Sequence, residues 1–289
     1  MTEVSEACYR HPDRFAAVTC QRCGRPICTR CMTQAAVGFQ CPSCVGANPQ
    51  QVVSRAQLFR GHGEVNAGKV IIALNAAMFL VTAVTGGSAI SPSGPVFERF
   101  VLYGPFVVQG EWWRLVTGGF MHSSLIHIGS NMLLLWFLAQ EMEPVLGKFR
   151  FSLLYGASLM GGSLGVMVMS PVSPTLGASG AVFGLMGGLI ALQLRAHHNP
   201  WNSGIGGLVL LNLILTFAIP GISVGGHIGG LLAGAAAGAV IQPLSWSQKD
   251  APQRNAAVVA LAVGLAVLSV LAADHFVRSA VNAHFGIPG

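Results

Sequence analysis

The chain has 289 residues, of which 52% are hydrophobic and only 9% charged, against about 25% charged in an average soluble domain. Mean hydropathy is +0.60, and no charge occurs from Phe151 to Leu194 or from Ala196 to Gln248. Water-exposed surface cannot be built from such stretches, which excludes an ordinary soluble enzyme and leaves most of the chain solvated by lipid.

The N-terminal segment has the opposite character. All seven cysteines lie between Cys8 and Cys44, among Arg10, Arg14, Arg22, Arg25 and Arg30. Residues 1–46 read as a small cysteine-rich head and 47–68 as a polar linker. No apolar leader precedes the head, so it is expected in the cytosol, where reduced thiols bind metal rather than pair. The spacing is Cys8-x2-His11, Cys20-x2-Cys23, Cys28-x2-Cys31 and Cys41-x2-Cys44. These eight N/S ligands suffice for two tetrahedral zinc ions, structural rather than catalytic because protein fills every position. A head this small needs such staples to fold. The order resembles B-box-type zinc fingers, with a final cysteine pair where those usually have histidine. That resemblance implies alternating sites, Cys8, His11, Cys28 and Cys31 in one and Cys20, Cys23, Cys41 and Cys44 in the other. Spacing alone leaves sequential pairing open.

Beyond the linker, uncharged apolar windows predict seven membrane spans: Val70–Ile90, Leu115–Gln140, Phe151–Ser170, Leu176–Leu194, a marginal Gly204–Ile219, Ile222–Gln242 and Asn255–Ala273. With the N-terminus inside, thirteen basic residues fall on the inner side, including Lys148, Arg150, Arg195, Lys249 and Arg254. The outer side holds Arg99, Arg114 and Arg278. This positive-inside bias puts the C-terminus outside. The loop Ser91–Trp113 then lies outside, and its aromatic content suits the membrane interface. Glycines recur every four residues in span four (Gly180, Gly184, Gly188) and span six (Gly226, Gly230, Gly234, Gly238), faces that let helix backbones approach closely.

Asp and Glu are absent between Glu143 and Asp250, which disfavours proton- or sodium-coupled transport. The polar residues inside the spans that invite a functional reading are His122, His127, Asn131, Ser179 and His227. Ser179 precedes the inner marker Arg195 by sixteen residues and His227 precedes Gln242 by fifteen, so both sit roughly 22–24 Å from the inner end. At one depth, on spans with facing glycine ladders, a hydroxyl and an imidazole can form a Ser–His nucleophile without an acid. Phe183, one turn after Ser179, is a candidate surface for the imidazole. His127 and Asn131, four apart on one helix face, can donate to an oxyanion, as can the Ser179 N–H. His122 lies nearer the outer interface and suits tying down the loop. Ser123 and Ser124 suit a cavity lining, and Pro220–Ser223 reads as a turn with the potential to cap it.

Taken in order, Trp113-Arg114, the His122, His127 and Asn131 spacing, Gly177-Ala178-Ser179-Gly180 and the GHxxG of Gly226–Gly230 closely resemble rhomboid intramembrane serine proteases, over roughly Lys69 to Gln242. The resemblance implies an all-α polytopic membrane protein with a six-helix core at 69–243. Residues 244–289 add a seventh helix and tail. It implies Ser179 as nucleophile, His227 as base, and His127 and Asn131, with Gly177 and His122 beside them, as the oxyanion and substrate group. Phe183 stands where some members have Tyr, and Gly226 where many have Ala. Substrates are expected to be transmembrane proteins cut near their outer ends, in a plasma membrane, with a bacterial source hinted by Arg over Lys and by Ala/Gly richness. A catalytically inactive, client-binding relative is the alternative. A cytosolic protein partner is favoured for the head over nucleic acid, since topology and anionic headgroups already account for the basic excess.

Overall fold

The computed structural model describes residues 7–35, 38–47, 66–86, 93–241 and 250–285. Most of the expected linker, together with Gln242, Pro243 and Lys249, lies outside them. The chain divides into two compact units, Met1–Glu64 and Val65–Gly289.

In the first unit three antiparallel ribbons follow one another: β1 (Ala7–Cys8) with β2 (His11–Phe15), β3 (Val18–Thr19) with β4 (Pro26–Ile27), and β5 (Thr33–Gln34) with β6 (Phe39–Gln40). Helix α1 (Pro42–Ala47) closes the unit. Two-stranded ribbons are marginal in water, and these share little hydrocarbon. The buried centre is Ile27 surrounded by Cys8, Cys20, Cys28, Cys31 and Cys41.

The second unit is helical: α2 (Ala67–Gly86), α3 (Gly94–Phe100), α4 (Gly104–Val108), α5 (Arg114–Thr117), α6 (Leu125–Met169), α7 (Ser179–Arg195), α8 (Ile205–Ala218), α9 (Val224–Ile241) and α10 (Ala251–Phe285). As one rod the 45 residues of α6 would extend roughly 65–70 Å, over twice the ~30 Å hydrocarbon thickness. It is broken at Gly147 (φ +76°), three residues after Pro144, and so supplies two spans. Counting its halves separately, the expected seven hydrophobic helices are present. α2, α6, α9 and α10 are long and apolar enough to cross a membrane, whereas α7 and α8 are shorter.

Two boundaries differ clearly from expectation. The second span begins at Leu125, not Leu115, because Gly118 and Gly119 lead the chain through a tight turn. A Cβ on Gly118 would stand 2.7 Å from Leu102 Cβ, and one on Gly119 would collide with Leu159. Ser124 then caps α6, accepting from the His127 N–H at 3.2 Å. The last helix is longer than the predicted Asn255–Ala273, extending through Phe285.

α9 is clasped between α7 and the second half of α6. A Cβ on Gly230 or Gly234 would collide with the carbonyl of Gly180 or Gly184, and one on Gly238 would lie 2.8 Å from the Gly188 backbone. The two ladders therefore meet each other. On α9's other flank Gly225 and Gly229 meet Gly165 and Gly161 of α6, a third small-residue face that sequence inspection passes over. At the far end Arg195 Nη1 donates to the Ala239 carbonyl at 2.6 Å, so α7 and α9 run parallel. Glu143, buried in α6, accepts from the Ala67 and Gly68 N–H groups at 2.7 and 3.1 Å, satisfying orphan donors at the start of α2.

Candidate active site and metal clusters

Between these helices lies a cavity of about 880 Å³ whose lining includes Ser123, His127, Asn131, Gly177, Ser179, Phe183, Thr216 and His227. Its size falls in the range of ligand sites, about 300–1,000 Å³. Pro220, Gly221, Ile222 and Ser223 also line it. Gly221 turns at φ +86°, and Ser223 accepts from the Gly226 N–H at 3.1 Å, so this connection is an ordered turn that caps α9.

Ser179 is the first residue of α7, and its N–H has no acceptor within the helix. The two preceding N–H groups are engaged. Gly177 donates to the Gly118 carbonyl at 3.0 Å and Ala178 to His122 Nε2 at 3.5 Å. His122 is buried and absent from the cavity lining; it contacts the loop that delivers Ser179 and meets the His127 ring edge-on, with centroids 5.0 Å apart. Gly177 has φ +126°, a left-handed backbone that favours glycine. A Cβ there would stand 2.8 Å from His127 Nε2 and 3.6 Å from Ser179 Oγ. Glycine thus keeps open the space that the hydroxyl and the imidazole share.

On α6, His127 Nδ1 lies 2.9 Å from Ser123 Oγ and accepts from the Ser123 N–H at 3.4 Å. Asn131 donates one amide hydrogen to the His127 carbonyl at 3.1 Å and retains a second. On α9, the His227 ring stacks on Phe183 with centroids 4.0 Å apart and planes inclined by 18°. No hydrogen bond joins Ser179 to His227 among the described residues; such contacts commonly tighten only when substrate binds. Their backbones are nonetheless adjacent, since a Cβ on Gly180 would lie 3.1 Å from the Gly226 carbonyl.

Two sets of contacts had no sequence signal. Thr216 of α8, an isolated threonine in an apolar helix, places Oγ1 2.7 Å from His227 Nδ1. Arg114, 2% exposed, donates to the carbonyls of Glu98 and Val101 at 2.7 and 2.8 Å and to Glu111 at 2.6 Å, lying over the Phe106 ring. It holds α3 and α4 to the start of α5. The Trp113-Arg114 motif is visible in sequence, but these partners are not.

In the head, the ligand atoms form two groups, Cys8, His11, Cys28 and Cys31, and Cys20, Cys23, Cys41 and Cys44, each within 4.8 Å. This is the alternating arrangement. His11 Nδ1 lies 3.9, 3.5 and 3.3 Å from the sulfurs of Cys8, Cys28 and Cys31, and Cys23 lies 3.8 Å from Cys41. A tetrahedral ion with bonds of about 2.0–2.3 Å needs edges of roughly 3.3–3.8 Å, so both groups fit a metal ion. All seven thiols are free. Burial, together with the neighbouring Cys8 and Cys28 thiols, pushes the Cys31 thiol up to about 11. Hydrogen bonds from Cys23 and Cys41, with burial, raise Cys44 to about 12. Four thiolates cannot share so small a space without a cation.

A multi-pass helical membrane protein with a serine, two histidines and an asparagine around an internal cavity is the class that fold and site define. Residues 109–244 match the Rhomboid domain. The chain is 34% identical over 206 residues to the rhomboid protease GluP of Bacillus subtilis (strain 168), covering 69% of this chain and 39% of GluP. It is 30% identical over 168 residues to the putative rhomboid protease YdcA of the same organism, covering 57% of this chain and 82% of YdcA. Against RHOMBOID-like protein 4 of Arabidopsis thaliana it is 35% identical over 141 residues, 47% of this chain and 36% of that protein. The chain belongs to the rhomboid family. It spans about two fifths of GluP and of RHOMBOID-like protein 4.

Proposed function

We propose that this chain is an intramembrane serine endopeptidase that cleaves transmembrane segments of membrane-protein substrates near their outer ends. One observation carries the reading: a serine at a helix N-terminus and a ring-stacked histidine converge on one cavity inside a helical bundle.

Ser179 Oγ attacks the scissile carbonyl carbon while His227 Nε2 takes the hydroxyl proton. The oxyanion receives hydrogen bonds from the Ser179 N–H, the second amide hydrogen of Asn131 and His127 Nε2–H. As the C–N bond breaks, His227 returns the proton to the leaving amine. Water then enters the cavity and attacks the acyl carbon while giving a proton to the same imidazole; as the ester C–O bond breaks, the imidazole returns that proton to Ser179 Oγ and the acid product leaves. The donor role of His127 is supported by its Nδ1 contacts: the Ser123 N–H can only donate to it, so that nitrogen keeps its lone pair and Nε2 carries the hydrogen.

The head, residues 1–46, holds two structural zinc ions on the two ligand groups and serves protein binding or regulation on the cytosolic side. The catalytic core is residues 69–243, and the remainder forms a seventh helix that ends outside. The asymmetry of Lys and Arg supports this orientation in the plasma membrane, with composition favouring a bacterial source.

Coexpression with a transmembrane reporter tests the reading. Ser179→Ala should abolish cleavage without loss of expression, and His227→Ala should abolish labelling of Ser179 by a fluorophosphonate. Undiminished cleavage by Ser179→Ala would refute the protease assignment in favour of a client-binding rhomboid.

A further inference from the structure

A base that takes a proton at Nε2 must carry its resident hydrogen on Nδ1, and in a Ser–His–Asp triad the acid enforces that choice. Here no acid lies in the spans around His227, yet Nδ1 has a partner. Thr216 Oγ1 stands 2.7 Å from it, with Thr216 2% exposed. The same hydroxyl donates to the Asn212 carbonyl, one turn back on α8, at 2.7 Å. A hydroxyl has a single hydrogen. With that hydrogen engaged by Asn212, Thr216 meets the imidazole only as an acceptor, so Nδ1 must be the donor and the lone pair falls on Nε2.

We infer that Thr216 is a positioning residue, selecting the Nδ1–H tautomer of His227 and fixing the ring's rotation on the Phe183 face. This rests on the dyad reading of Ser179 and His227. Among the described residues, the hydrogen bond recorded to the His227 ring is that of Thr216, whereas Asn212, the other polar side chain of α8 at the cavity, donates to the Leu208 carbonyl at 2.8 Å. A hydroxyl oxygen also continues to accept from Nδ1–H once the ring becomes a cation, and does so without an ionised acid in the membrane. His127 and His227 are thus held in opposite tautomers around one cavity, one offering a hydrogen and the other a lone pair.

The test is the labelling of the detergent-solubilised full chain by a fluorophosphonate, with the maximal rate kinact and the binding constant KI measured separately. Thr216→Val, which keeps the shape and removes the hydroxyl, should lower kinact about tenfold or more with KI unchanged, the scale of one lost hydrogen bond. Thr216→Ser, which keeps the hydroxyl, should stay within about twofold of wild type. Wild-type kinact in Thr216→Val, or a slower Thr216→Ser than Thr216→Val, would overturn the inference, because a packing role predicts that order. Should Thr216→Val fail to fold, Thr216→Ser and Thr216→Ala decide, differing in the hydroxyl alone; equal rates overturn it. Ser179→Ala separates the two levels. Its labelling at the wild-type rate would sink the dyad itself, whereas an unlabelled Ser179→Ala beside a fully active Thr216→Val would sink only the role of Thr216.

Discussion

Ser179, Asn131 and His127 are set apart from other polar residues of these helices by the hydrogens their neighbours leave available. Gly177 and Ala178 spend their N–H groups on Gly118 and His122, so the next N–H in line, that of Ser179, is the one left for a developing charge. Asn131 spends one amide hydrogen on its own helix and keeps one. Removing that donor by Asn131→Ala should lower kcat by about 10²-fold with little change in KM, the loss expected of one oxyanion contact. Steady-state cleavage of a transmembrane peptide checks this, and a raised KM with kcat preserved would make Asn131 a substrate-binding residue instead. The candidate pair is legible in sequence because Ser179 and His227 each sit in a short motif at a countable depth. Thr216 is not legible, since a single threonine in an apolar helix most often bonds its own backbone, and here it bonds both the backbone and the imidazole.

At the scale of the helices, glycine placement decides how close α7 and α9 come. Both ladders are readable as period-four rows, but that they face each other depends on how each helix is rotated, which its sequence does not state. Gly234→Ala would drive a methyl group into the Gly184 carbonyl and should destabilise the protein by about 2 kcal/mol or more, read as a lowered thermal midpoint in detergent. Gly207→Ala on α8 provides the contrast. Nothing lies within 4 Å of its Cβ position, and helix propensity favours alanine by up to ~1 kcal/mol, so the midpoint should hold or rise. Equal losses in both variants would remove the ladder as a specific contact. The start of the second span departs from the hydropathy pattern for a related reason. The uncharged stretch runs on from Leu115, but the turn at Gly118–Gly119 requires glycine because Leu102 and Leu159, distant in sequence, occupy the space that side chains would need.

Over the whole molecule, two units solve the problem of stability by different means. The helical unit buries broad apolar faces, whereas the head packs thiols around Ile27 and gathers its ligand atoms into two four-residue groups. Purified protein should therefore carry about two zinc ions per chain, one for each four-ligand site. Because metal entry expels thiol protons, lowering the pH should promote release. The sign is the same for every ligand: Cys31 and Cys44, raised to about 11 and about 12, give up a proton when a cation enters, and Cys8 and Cys20, lowered to about 6 by hydrogen bonds from the backbone, regain theirs as the pH falls from 8 to 5. Zinc release to a chromogenic chelator, followed from pH 8 to pH 5, checks both statements. Metal-free protein whose head nonetheless resists proteolysis would refute them.

Local chemistry accounts for what the sequence alone determined. Hydropathy sums along a segment, so the number of hydrophobic helices is countable from the order of residues. Two ligands of a Cys-x2-Cys knuckle lie on one short turn, so the existence of metal-ligand clusters in the head is readable, as are the motifs carrying Ser179 and His227. Long-range packing decided the rest. Which knuckles come together, which glycine rows meet, where α6 begins and which side chain touches His227 Nδ1 all depend on segments far apart in the chain. Their distances are set by three-dimensional closure, which no single stretch of residues encodes.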